Sequence, residues 1–212
     1  MSTDTARDYA GQDAAARASS RRTRLLAAGL EVLGTDGATA LTVRRALAET
    51  GLAPRYFYES FASTDALQVA VFEQVLAEVE DGARRALESA PRRARARIRA
   101  VLLALCEVLL DDPRKGRIVL VEAVASPALG PLRLDAAERF AGVLAEFATG
   151  AWRGHAPDAG AVVVTSQFAV GGMAETLARV LAGRLDLDRD VLVDHLTELL
   201  LGTGVAFKAI TS

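Results

Sequence analysis

Apolar residues recur at helical spacing along almost the whole chain. Leu25, Leu26, Gly29, Leu30 and Leu33 form a first stripe, which Thr35-Asp36-Gly37 brings to an end. Val43, Ala46 and Leu47 make a second. It follows Thr42, whose hydroxyl can accept from an otherwise orphaned N–H of the first turn. Gly51 stands where that helix must stop, because glycine enters the left-handed conformation without steric cost. Pro54 suits the first turn of the next helix, where its missing N–H is no loss. That helix, about Pro54 to Ser60, is too short to stand alone. Phe57 and Phe61, four apart, would anchor it and leave Arg55, Tyr56, Tyr58 and Glu59 facing outward. Two short helices around a glycine turn read as a helix-turn-helix, a motif that sets its second helix in a DNA major groove. Ser63 then caps a fourth helix running to about Asp81. Leu67, Ala70, Val71, Gln74 and Val75 give it one apolar face, and Phe72, Leu76 and Val79 a second, as expected of a connecting rod packed on two sides.

The periodicity continues to the end of the chain. A helix from Pro91 to Leu110 starts dense in arginine and turns apolar from Val101; Asp111-Asp112-Pro113 stops it. Its arginines, Arg92, Arg93, Arg95, Arg97 and Arg99, are spread around the axis and read as a solvated face near Glu78, Glu80 and Asp81 in preference to a second nucleic-acid patch. A helix over 113–125 follows, with breaks at Ser126-Pro127 and Gly130-Pro131, an amphipathic stretch over 132–152 and a loop over 153–158. Two long helices, about 157–183 and 187–210, close the chain. Val162-Val163-Val164-Thr165 is a β-branched run, but no partner strand is evident, so a helix is expected there too. Both last helices are apolar nearly all round, more than one subunit can bury, which predicts an oligomer interface through them. Gly171, Gly172, Gly202 and Gly204 lie inside them, where glycine usually permits a close backbone approach.

Composition sharpens this all-α picture. Hydrophobic residues make up 51% of the 212 but aromatics only 5%, so the apolar mass is Ala, Leu and Val, which suits helices. Charge is unevenly distributed. From Arg17 to Tyr58 seven arginines face three acids, a surplus of four, so the remainder must carry −6 to give the net −2. A basic N-terminal module on an acidic body fits local DNA contact. Arg21 and Arg22 could meet phosphates or reach a minor groove. The single cysteine, Cys106, excludes an internal disulfide framework and fits a reducing cytoplasm. No uninterrupted apolar run reaches the length that spans a bilayer, and the acid-bearing N-terminus is unlike a secretory signal, so a cytoplasmic protein without membrane contact is expected. His155 and His195 are far apart, and no metal-binding, nucleophile-elbow or phosphate-loop motif is present. No catalytic residue, metal or cofactor is therefore expected, and the chain does not read as an enzyme.

Residues 20–67 resemble the DNA-binding domain of the TetR family of bacterial transcriptional regulators. The match runs without a gap through Gly37, Thr42-Val43-Arg44, Leu47-Ala48, Gly51-Leu52, Tyr58, Phe61, Ser63 and Asp65-Ala66-Leu67. Beyond it the likeness is one of length and helical character. The chain departs from the family pattern in three places. Thr64 stands where a phosphate-binding lysine is frequent, Ala53 lacks the usual capping hydroxyl, and Pro54-Arg55 replaces a common lysine-glycine pair.

Residues 1–18, polar, alanine-rich and uncapped, read as a flexible arm. The resemblance implies a three-helix DNA-binding head over 19–63 and a ligand-binding and dimerisation domain over 64–212, with a homodimer through the last two helices. It implies a dimeric regulator, a repressor released by a small hydrophobic or amphipathic ligand, on a near-palindromic operator in double-stranded DNA. Arg55 and Tyr56 on the helix that Pro54 opens would touch base edges, Arg44 a base or a phosphate, and Thr42, Tyr58, Ser63 and Thr64 phosphates. An effector cavity implied in the same way would draw on Leu102, Cys106, Glu122, Phe140, Phe147, Trp152, Gln167 and Met173. The competing expectation is a helical ligand- or protein-binding module whose head has degenerated, which the changes at Ala53 and Thr64 would fit.

Overall fold

The computed structural model describes the backbone of residues 4–150 and 159–210, and the side chains of residues 15–146 and 159–203. Among the described residues every regular element is helical. In order they are α1 (Asp4–Thr35), a 3-10 turn (Ala38–Ala40), α2 (Val43–Thr50), α3 (Pro54–Ser60), α4 (Thr64–Ser89), α5 (Ala94–Leu109) and α6 (Pro113–Arg117). A π-helical segment (Ile118–Glu122), α7 (Ala123–Ala125), α8 (Gly130–Gly150), α9 (Ala159–Leu181) and α10 (Arg189–Ile210) complete the chain. The β-branched run at 162–165 lies inside α9.

The chain divides into two compact units, Met1–Glu73 and Gln74–Ser212. The division falls within α4, later than the expected 63/64 boundary, because Leu67 and Val71 of α4 belong to the core that α1 builds. A Cβ at Gly29 would lie 2.9 Å from Val71 Cγ2 and 3.2 Å from Leu67, so glycine there lets α1 come close to α4. Residues 4–18, expected as an arm, continue α1 instead. Their alanine-rich composition favours helix even without a cap. Leu25, Val32, Leu33, Phe57, Leu67 and Phe72 are buried, and with Phe61 they are the core of the first unit.

In the second unit α8 packs on α9, and α10 packs on α5 and α9. Leu102, Leu105, Leu109, Ile118, Leu177 and Val193 are buried. The α5 arginines meet different acids from those expected. Arg95 pairs with Glu198, while Arg99 donates to Asp194 (2.9 Å) and Asp190 (2.7 Å), all on α10. Glu78, Glu80 and Asp81 are instead taken by Lys115, Arg139 and Arg84. The two α5 arginines thus tie one helix to another about a hundred positions later, a pairing that helical periodicity alone does not reveal.

The last helices leave much apolar surface bare. On α9, Val163, Val164 and Phe168 are exposed, with Phe168 77% open; on α10, Val191 and Leu199 are exposed. A Cβ at Gly171, Gly172 or Gly202 would meet open space, so these glycines serve no close approach within the subunit. By length and mean hydropathy (1.2) α9 could cross a membrane, which corrects the expectation that no segment would qualify. The same helix buries Val162, Ser166, Val170 and Leu177 within the second unit.

Gly116 is the tightest point of the second unit. A Cβ there would collide with the Leu109 carbonyl oxygen and sit 3.2 Å from Leu181 Cδ2. Gly116→Ala is therefore expected to cost about 2 kcal/mol or more of stability, read as a lowered midpoint in urea unfolding. An unchanged midpoint would show that α5 and α6 do not meet as described.

Candidate nucleic-acid interface

The helix-turn-helix forms as its local signals require. Thr42 Oγ1 accepts from Arg45 N at 3.1 Å and caps α2. Gly51 closes α2 at φ 65°, ψ 18°, donating to Leu47 O at 2.8 Å. Pro54 opens α3; Ala53 before it offers no side-chain cap. Phe57 is fully buried and Phe61 nearly so, their ring centroids 6.2 Å apart. Ser63 Oγ accepts from Ala66 N at 3.1 Å and starts α4, with Thr64 half-buried beside it. Thr42 and Ser63 spend an oxygen lone pair on their own helices and keep an O–H to donate.

Four arginines hold this motif from within the unit. Arg24 donates to Thr50 O at the end of α2, and Arg22 to Ser60 O at the end of α3, at 2.7 Å. Terminal carbonyls lack helical partners and lie at the negative end of the helix dipole, so a guanidinium there both satisfies and neutralises them. The Arg22 guanidinium also stacks on the Phe61 ring at 4.2 Å. Arg21 lies 4.4 Å from the Tyr56 centroid and pairs with Glu59 at 3.3 Å. Arg45 bridges Asp36 and Glu49, at 3.1 Å each. Gln68 is buried and donates to Ala38 O at 3.4 Å, joining the 3-10 turn to α4.

Two placements differ from expectation. Arg21 and Arg22, expected on phosphates, brace α3 from α1. Tyr56, expected to face outward, is half-buried against Arg21, and its hydroxyl accepts from Arg55 at 2.6 Å. That hydrogen bond raises the Arg55 pKa. Of the expected DNA contacts, Arg22, Thr42, Arg44, Pro54, Arg55, Tyr58 and Ser63 are exposed, with Tyr58 61% open. The bracing roles of Arg24, Thr50 and Gln68 were not foreseen. Their only sequence signal is that polar residues interrupt, or lie close beside, apolar stripes.

The second unit holds a cavity of about 1170 Å³. Of the expected effector residues, Leu102, Phe140 and Met173 line it. Cys106 is instead buried in the core, and burial pushes its thiol pKa up, away from reactivity. Glu122 lies at the end of the π-helical segment, 3.0 Å from Arg117 Nε, and Gln167 is exposed on α9. Phe147 lies on α8 with its side chain outside those described, and Trp152 and His155 lie outside the described residues. His195 Nδ1 is 2.8 Å from Val191 O. Among the described residues no cluster of His, Cys, Asp or Glu is placed to hold a metal ion.

Solved structures share this architecture. FadR, a fatty acid degradation regulator from Bacillus halodurans, superposes with a TM-score of 0.72 over 86% of this chain and 95% of its own, at 16% identity. A TetR-like transcriptional regulator from Rhodococcus sp. RHA1 gives 0.67 over 89% and 96%, also at 16% identity. A regulator of the TerR/AcrR family from Aquifex aeolicus VF5 gives 0.65 over 85% and 97%, at 16%. The chain has the fold of the TetR-type transcriptional regulators. The likeness is one of fold, since its sequence matches no family model and no curated protein.

If Arg24 braces α2, Arg24→Ala will lower the stability of the N-terminal unit by about 1–2 kcal/mol, since a charge-assisted bond to a part-buried carbonyl is lost. Urea unfolding followed by amide exchange in α2 and α3 reads this. Unaltered exchange in both helices would refute the bracing role.

Proposed function

We propose that this chain is a dimeric, DNA-binding transcriptional regulator, a repressor that a small ligand releases from its operator. The observation that carries the reading is α3: Phe57 and Phe61 fix it inward while Arg55 and Tyr58 stay exposed. A short braced helix offering a guanidinium and a phenol fits insertion into a major groove. Arg55 is suited to guanine O6 and N7. Arg44 extends the basic surface, and Tyr58, Thr42, Ser63 and Thr64 offer donors to phosphates on either side. Tyr56 acts through Arg55, as the acceptor that aligns its guanidinium, with its ring as the surface on which Arg21 rests.

The exposed apolar stripes support dimerisation through the last two helices. Val164, Phe168 and Gly171 follow one another along α9, and Val191, His195, Leu199 and Gly202 along α10. Glycines in open space on such stripes fit the close approach of a second copy rather than of the same chain. Two heads related by a twofold axis would meet successive major grooves, so the operator is near-palindromic. The ligand acts by binding one arrangement of the dimer better than another, which needs no contact with DNA. The same reading makes the protein a cytoplasmic regulator and not an enzyme.

Two tests follow. Fluorescence anisotropy on the DNA immediately upstream of the protein's own coding sequence, taken across a salt series, will show saturable binding. Its log affinity will fall linearly with log salt, by about 0.9 for each phosphate contact. Arg55→Ala with Tyr58→Phe will weaken it at least about tenfold. Equal binding by wild type and variant would break the assignment of α3, and purely non-specific binding by both would favour the degenerate-head module. Separately, Phe168→Glu will convert the dimer to monomer in light scattering, because it buries a charge in the paired stripes; a dimer that survives it pairs elsewhere.

A further inference from the structure

Arg55 has two neighbours on α3 that could hold it, and it rests on one of them. Glu59 follows it by four positions, the spacing at which a guanidinium and a carboxylate on one helix come together. Arg55 is nevertheless seated on Tyr56. Its Nη2 donates to the phenol oxygen at 2.6 Å, and its guanidinium carbon lies 4.6 Å from the ring centroid. The Glu59 carboxylate is taken by Arg21 of α1, whose Nη2 stands 3.3 Å from Oε2. The same Arg21 guanidinium lies 4.4 Å from the centroid of the Tyr56 ring. One side chain thus touches both of the places between which Arg55 divides. With 23% of its side chain open, Arg21 is held by the fold, whereas Arg55 is exposed.

We propose that Arg21 is a positioning residue for base reading: by occupying Glu59 and bearing on Tyr56, it keeps Arg55 off the carboxylate and free to meet a base. The inference rests on the reading of α3 as the element that enters the groove, and it adds a residue of another helix to the determinants of specificity. An unpaired Glu59 would attract Arg55, compete with guanine for it and set a negative charge against the DNA. A guanidinium has five N–H donors, so one given to the Tyr56 hydroxyl leaves enough for a two-pronged contact with guanine O6 and N7. Tyr56 can therefore hold Arg55 while it reads. A bond to Glu59 would instead cancel the charge that strengthens the contact with the base. Contact with Arg21 also confines the Tyr56 ring, among the staggered positions open to it, to the one that receives Arg55.

The test uses duplexes carrying the motif that wild type selects from random DNA, with guanine or adenine at the position whose preference Arg55→Ala removes. Affinities of the full-length protein are read by fluorescence anisotropy over a salt series. Wild type will favour guanine about tenfold or more. Arg21→Met keeps the aliphatic stem but not the charge, and will cut that preference to about threefold or less. Adding Glu59→Gln will bring it back to about half the wild-type ratio or more, because the competing carboxylate is gone. In this double variant the slope of log affinity against log salt will match wild type, whereas loss of a phosphate contact would flatten it by about 0.9. A guanine preference that survives Arg21→Met, one that Glu59→Gln fails to restore, or a flattened slope would overturn the proposal and leave Arg21 a brace or a phosphate contact. Arg21→Gln takes the place of Arg21→Met if amide exchange shows α3 loosened. Failure of the underlying reading looks different: wild type then has no guanine preference for Arg55→Ala to remove, and both fall together.

Discussion

A seven-residue helix does not persist in water, because its nucleation cost exceeds what so few hydrogen bonds return. α3 exists only because the N-terminal unit holds it, and the DNA-binding reading depends on that hold. Phe57 and Phe61 supply the apolar part. Arg22 takes the terminal carbonyl of α3, and Arg21 stacks on Tyr56 while pairing with Glu59. Arg24 does the same service for α2 at Thr50. Three arginines within one turn of α1 thus hold both short helices, Arg22 and Arg24 at their ends, while Arg55 and Tyr58 stay exposed. Rigid presentation matters because a side chain that must be ordered on binding surrenders part of its contact energy.

The second unit is built on a different balance. Its ion pairs between α5 and α10 are exposed, and each is worth little alone. They join α5 to α10 through Asp190, Asp194 and Glu198, which lie one helical turn apart along α10. The charge they consume is also informative. Arg95 and Arg99 are spent on α10, whereas Arg92 and Arg97 of the same arginine-rich stretch line the cavity. One basic segment therefore divides between tying α5 to α10 and lining the cavity.

Local chemistry was legible in the sequence and long-range chemistry was not. The Thr42 cap, the Gly51 stop and the Pro54 start each depend on residues within four positions, and all three stand where the pattern put them. α4 runs to Ser89 rather than about Asp81. Gly82, just past the expected end, is buried instead, with Ala104 3.7 Å from where its Cβ would lie. The π-helical turn at Ile118–Glu122 has no marker in an ordinary apolar run. Of the expected cavity residues, Leu102, Phe140 and Met173 line it, but Cys106 and Glu122 do not. Helical spacing tells that a residue faces inward, not whether it meets a cavity, a core or an ion partner. The fold class survives such errors because many weak, redundant signals specify it.

The most direct test of the account needs no prior choice of target. The full-length protein would be presented with random double-stranded DNA at near-physiological salt, and the retained sequences read. The account predicts one enriched, near-palindromic motif with half-sites about one helical turn, or a multiple of it, apart. Within each half-site, a guanine position would lose its preference when the selection is repeated with Arg55→Ala. Retention without any enriched motif, or an identical motif for the variant, would contradict the claim that α3 is the element that reads DNA.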